Sequence, residues 1–189
     1  MRVIGTVGLP GSGKGEAAAV AREAGIPVVT MGDVIRQECR ERGLDPAEHH
    51  GEIAKALREE NGLDAIAARS LPMIRDHLDD NDTVLVDGLR SMYEVERFRE
   101  AFADDFLVVS VEAPFEVRAE RLGERGRDDS DSDVERLRAR DERELGFGMG
   151  DVMDDADVVV DNTDSLEAFR ARIRTLLREG PEALTEVER

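Results

Sequence analysis

Tryptophan is absent from this 189-residue chain, tyrosine occurs once, and aromatic residues make up only 4% of it. A core is nevertheless affordable, because hydrophobic residues reach 40%. It must be built from aliphatic side chains and a few Phe. Cysteine occurs once, at Cys39, so no internal disulfide is possible. No apolar run approaches the roughly 20 residues of a membrane span. The first strand leads straight into a glycine-rich loop, so a cleaved signal is not expected, and a soluble cytoplasmic protein is. Lysine is nearly missing: Lys14 and Lys55 stand alone, and every other permanent cation is Arg.

Acid is what the chain has in excess. The formal net charge is −18 and the sequence pI about 4.6. Asp and Glu are spread along the chain rather than gathered in a tail, which fits a surface suited to a high-salt cytoplasm, where screening makes self-repulsion tolerable. Such a field disfavours nucleic acid as a partner. A polyphosphate ligand would need a local cluster of Arg and backbone N–H groups, so the positions of the arginines carry information.

Short β-rich segments alternate with helical patterns. Strands are expected at 2–8, 26–30, 83–88, 106–113 and 157–162. Helices are expected after Lys14, after Gly32, at 46–60 and 63–79, at 91–102, after Pro114, up to about Leu145, and at 165–178. Alternation of this kind implies an α/β fold, a parallel five-stranded sheet with helices on both faces. Residues 1–178 read as one domain, with a helical insert at about 44–80 and an Arg-rich lid at about 123–150. A flexible tail is expected over 179–189.

The segment GLPGSGKGE, Gly8 to Glu16, fits G-x-x-x-x-G-K between a strand and a helix. Glycines let the backbone curl until several N–H groups converge on phosphate oxygens, and the helix N-terminus adds positive potential. Gly8, Pro10, Gly11, Ser12, Gly13, Lys14, Gly15 and Glu16 are therefore expected to hold ATP, with Lys14 on the β/γ oxygens. Gly15 stands where a Ser or Thr would ligate Mg²⁺, so the metal must rely on phosphates, water and more distant acids. Glu16 is either a first-turn acid favoured by the helix dipole or an acceptor for Mg²⁺-bound water.

The loop in this form resembles that of the nucleoside-monophosphate kinases, the adenylate kinase family above all, where Gly also follows the lysine. Glu16 departs from that family's Thr. VVTMGDVIR (28–36) resembles the family's acceptor segment and implies acceptor-binding roles for Thr30 and Arg36. Asp33 then faces the metal and the reaction, although helix capping accounts for it as well. DGLR (87–90) resembles the family's DGFPR without the proline. Asp87 would orient Mg²⁺-bound water and Arg90 would hold the acceptor's phosphate. Arg121, Arg125 and Arg127, with Arg138 or Arg140 returning, resemble the lid boundary, where cations meet the migrating phosphoryl group. Asn162 stands where an adenine contact or an Asx turn fits equally. DDSDSD (128–133) reads as a solvated tip, and GFGMGD (146–151) as a hinge or turn.

Residues 2–178 are also similar to an archaeal group of P-loop proteins of unsettled function, labelled adenylate-kinase-like or dephospho-CoA-kinase-like. The resemblance implies ATP·Mg-dependent transfer to a small phosphorylated acceptor, first of all a nucleoside monophosphate. One alternative is dephospho-CoA kinase, with an acid such as Asp33 as base for a ribose hydroxyl. The other is a nucleotide-binding regulatory ATPase without a small acceptor.

Overall fold

In the computed structural model, the described residues are 1–124 and 131–184, without the side chains of 124 and 131–133. Five strands form one sheet: β1 (Arg2–Val7), β2 (Val28–Thr30), β3 (Thr83–Asp87), β4 (Phe106–Glu112) and β5 (Val158–Asp161). Their order is β2-β3-β1-β4-β5, and every pairing is parallel. The central strands read as unbroken apolar runs because both faces are covered; Val3, Val7, Val84, Val86, Val108 and Val109 are all fully buried.

Nine helices are described: α1 (Lys14–Glu23), α2 (Met31–Glu41), α3 (Pro46–Asn61), α4 (Ala65–Leu78), α5 (Met92–Phe102), α6 (Phe115–Glu124), α7 (Asp131–Gly146), α8 (Met149–Asp154) and α9 (Leu166–Glu179). On one face, α1 and α9 pack through Ala17, Ala21, Phe169 and Ile173 against Ile4, Leu85 and Val109. On the other, α2 to α5 and α8 share a larger core that includes Ile35, Leu57, Ile66, Phe98 and Val152. The two-helix insert appears as read, split at Gly62, whose φ of 102° suits a residue without Cβ.

Two expectations are revised. GFGMGD is not all turn: Gly148 caps a short helix that Met149 and Val152 anchor in the core. The expected loose tail starts with order, since Pro181–Ala183 form a 3₁₀ turn and Leu184 packs on the α1/α9 cluster. Strand register places the site. Thr6 of β1 lies beside Asp87 of β3, so both strands end where the glycine loop begins. This is the carboxyl edge of a parallel sheet, on either side of which the strand order diverges.

Candidate functional site

The loop from Gly8 to Gly13 joins β1 to α1. Gly8, Gly11 and Gly13 all have positive φ, and a Cβ on Gly8 would strike the Val111 carbonyl. At Gly13 a Cβ would overlap the Asn162 amide nitrogen. Glycine is thus required by close approach as well as by conformation. The N-cap carbonyl of Gly13 takes the amides of Glu16 and Ala17; the amides that precede them at a helix N-terminus are the groups that bind anions.

Lys14 turns back onto this loop, donating to the carbonyl of Gly8 and lying 3.5 Å from that of Leu9. Burial lowers its pKa to about 8; Asp87 and Glu144 pull it up, and Arg90 and Arg140 push it further down. Asp87 Oδ1 accepts the Thr6 hydroxyl at 3.0 Å.

A cavity of about 260 Å³ runs from this loop to the insert. Gly8, Pro10 and Lys14 line it. Thr30, Arg36, Arg58 and Arg90 line it too, with Asp87 and Arg140 also on its wall. Five basic side chains, Lys14, Arg36, Arg58, Arg90 and Arg140, converge here in a chain whose net charge is −18. Three carboxyl groups accompany them: Asp87, Glu94 and Glu144. Glu94 accepts the Arg90 amide at 2.8 Å and lies 3.5 Å from Arg58. Burial raises its pKa. His50 lines the same wall, and burial, then Arg90 and Arg36, lower its pKa.

Behind the loop, Arg118 is only 4% exposed and joins three elements. Its guanidinium holds Asp141 of α7 through two bonds, 3.0 and 2.7 Å, and donates to the carbonyls of Pro10 and Ala113. Phe115 carries the Arg138 guanidinium 4.1 Å above its ring. Arg121 donates to the Asn162 carbonyl at 2.8 Å, while its other terminal nitrogen is buried without a hydrogen-bond partner.

The structure brings together Gly8, Pro10, Lys14, Thr30, Arg36, Asp87 and Arg90, all expected from the sequence, and of the two returning lid arginines offered as alternatives it puts Arg140 on the wall. Four expected residues have other employment, the first being Arg121, which holds the Asn162 carbonyl and is not among the residues lining the cavity. Asp33 lies in the first turn of α2, which Thr30 caps; its side chain is 53% exposed and its Oδ1 takes two bonds from Arg36, away from the cavity wall. Glu16 is held by Arg170 of α9, which also pairs with Glu23, so an arginine rather than a metal makes this acid tolerable beside the loop. Asn162 is 4% exposed and donates to the Ser12 carbonyl at 2.7 Å, so it braces the loop instead of facing a base. Arg125, Arg127 and most of DDSDSD lie outside the described residues.

Arg58, His50, Glu94, Arg118 and Glu144 were not singled out as site residues. Glu94 alone had a readable signal: SMYE (91–94) has the S-x-x-E spacing of a capping box. Its carboxylate does reach back to the chain, though to the Arg90 amide.

A parallel sheet of this order, with a lysine-bearing glycine loop after the first strand, defines a P-loop kinase-like fold. Solved structures agree. The crystal structure of TT1252 from Thermus thermophilus superimposes with a TM-score of 0.65 at 22% identity, covering 94% of this chain and 97% of that one. Shikimate kinase from Acinetobacter baumannii, in complex with shikimate, gives 0.52 at 17% identity, over 95% and 94%. A family model for the AAA domain matches residues 7–138. The chain belongs to that family and to the UPF0200 proteins. It is 64% identical to a UPF0200 protein of Halobacterium salinarum over 94% of this chain and 93% of the relative. It is 46% identical to one of Methanosarcina mazei, over 94% of both.

Proposed function

We propose that this protein transfers the γ-phosphoryl group of ATP, taken up with Mg²⁺, to a small phosphorylated acceptor, a nucleoside monophosphate being the first candidate. One observation carries the reading: a single cavity joins the glycine loop and Lys14 to a second cation cluster, Arg36, Arg58 and Arg90. A regulatory ATPase has no use for the second cluster; a phosphoryl acceptor needs it. In the pocket wall five basic side chains outnumber three carboxyl groups, which suits an anionic ligand.

In this scheme the loop amides and Lys14 hold the triphosphate, Lys14 exchanging its bond to Gly8 for phosphate oxygens. Arg90 and Arg36 hold the acceptor's phosphate and set its oxygen in line. A phosphate oxygen is already nucleophilic enough to need no strong base. Arg121 and Arg140, together with Arg125 and Arg127 of the lid, stabilise charge on the moving group and close out water. The donor set fits a metal carried in by the triphosphate. Gly15 offers no hydroxyl, and no group of three or more His, Cys, Asp or Glu gathers among the described residues. Asp87, whose Oδ1 takes the Thr6 hydroxyl, would accept hydrogen bonds from the metal's waters. A bound Mg²⁺ would supply charge neutralisation on the triphosphate. For a hydroxyl acceptor with Asp33 as base, the engagement of Asp33 by Arg36 is unfavourable.

The test is an acceptor screen in molar KCl that follows both ATP consumption and phosphorylated product. One monophosphate should raise ADP formation to a turnover of about 1–100 per second. Slow hydrolysis indifferent to every acceptor would sink the proposal.

A further inference from the structure

One polar atom of the cavity has no task in that scheme. Glu144 lies on the returning lid helix α7, one turn beyond Arg140 and on the same face. It is 8% exposed and lines the cavity, and its Oε2 is buried with no hydrogen bond. The facing cation is Arg90, with Nη1 at 3.6 Å, beyond hydrogen-bond length. Both other carboxyl groups in the wall are engaged: Asp87 by the Thr6 hydroxyl, Glu94 by the Arg90 amide. Glu144 Oε2 is therefore ion-paired with Arg90 but short of a hydrogen bond, and a carboxylate that lines a cavity with accepting capacity unused is placed for a ligand that completes it.

The acceptor's phosphate is the wrong group to do so. A phosphate dianion brings no proton and repels a carboxylate. A hydroxyl brings one, and it must sit near that phosphate, because Arg90 faces Glu144 and the acceptor's anion alike. Building on the phosphoryl-transfer reading, we propose that Glu144 reads a hydroxyl of the acceptor close to its phosphate. The acceptor is then a polyol phosphate, such as the ribose of a ribonucleotide, and Glu144 sets the preference for it over deoxy forms. Glu144 determines specificity here; the phosphoryl group passes between ATP and the acceptor's phosphate without touching it.

The experiment compares ribonucleoside 5′-monophosphates with their 2′-deoxy and 3′-deoxy counterparts as acceptors, with MgATP in molar KCl, in wild type, Glu144→Ala and Glu144→Gln. One lost hydrogen bond to a charged group corresponds to a kcat/KM preference for the ribose form of about 10- to 100-fold in wild type. Glu144→Ala should cut that preference to within about threefold, chiefly by lowering kcat/KM for the ribose form. Glu144→Gln keeps an accepting oxygen and should retain part of it. A ratio is insensitive to how much of a variant is folded. A ratio unchanged in Glu144→Ala, or no preference in wild type, overturns the assignment while leaving phosphoryl transfer intact. Wild type that turns over no monophosphate at all overturns both.

Discussion

With its ammonium group turned onto the Gly8 carbonyl, Lys14 makes a bond that a phosphate would replace. The arrangement costs stability. Burial has moved its pKa from 10.5 to about 8, so at neutral pH the folded protein carries a charge it would more readily lose. Below about pH 8 the lysine is protonated in both states and the penalty is felt in full. Between 8 and 10.5 the unfolded chain binds more protons, so stability from this group rises with pH. Lys14→Met should therefore melt higher than wild type at pH 7 without nucleotide, by a few degrees for each ~1 kcal/mol recovered. The gap should narrow as pH approaches 10. The same variant should lose the upward shift in melting temperature that MgATP gives wild type. Arg36→Ala and Arg90→Ala should leave MgATP binding near normal and raise KM for the acceptor about 10- to 100-fold, read from steady-state kinetics with the monophosphate varied. Of these residues, Lys14, Arg36 and Arg90 were legible because each sits in a motif at fixed offset. Arg58 and His50 were not. They reach the cavity only because α3 folds across it, and nothing in the local pattern distinguishes Arg58 from any other helical arginine.

At the level of elements, the lid arm and the glycine loop are joined through Arg118, which ties α6 to Asp141 of α7 and to the Pro10 carbonyl. Removing one partner of a buried pair strands the other charge. Arg118→Met should lose about 3–5 kcal/mol in denaturant unfolding, whereas Arg118→Met with Asp141→Leu should recover much of it. If the double variant is no better than the single, the pair is not where the stability resides. Every strand and the eight longer helices were readable from periodicity, because apolar runs and amphipathic stretches differ in period. α8 was not, since a helix of six residues is too short to show a period, and three glycines at 146, 148 and 150 signalled a turn. Burial of Met149 and Val152 outweighs that signal. The task of Arg118 was equally hidden. In a run where Arg recurs every few residues, only the packing of α6 behind the loop shows which one is buried.

On the scale of the whole molecule, charge governs how the protein meets its solvent. A surplus of eighteen negative charges spreads over the surface, while the cavity concentrates cations. Salt screens exposed charges on a length of about 10 Å at 0.1 M and 3 Å at 1 M. Melting temperature should therefore climb as KCl is raised toward molar levels. A protein equally stable in dilute buffer would show that the acidic surface is no burden. Nucleotide affinity should fall only modestly over the same range, because in the proposed scheme backbone amides of the loop, rather than exposed ion pairs, carry that binding. The most direct test of the account follows the γ-phosphoryl group itself. With γ-labelled ATP, Mg²⁺ and a panel of monophosphates in molar KCl, the label should appear in one acceptor as a new diphosphate. Label released only as inorganic phosphate, at a rate no monophosphate changes, would contradict it.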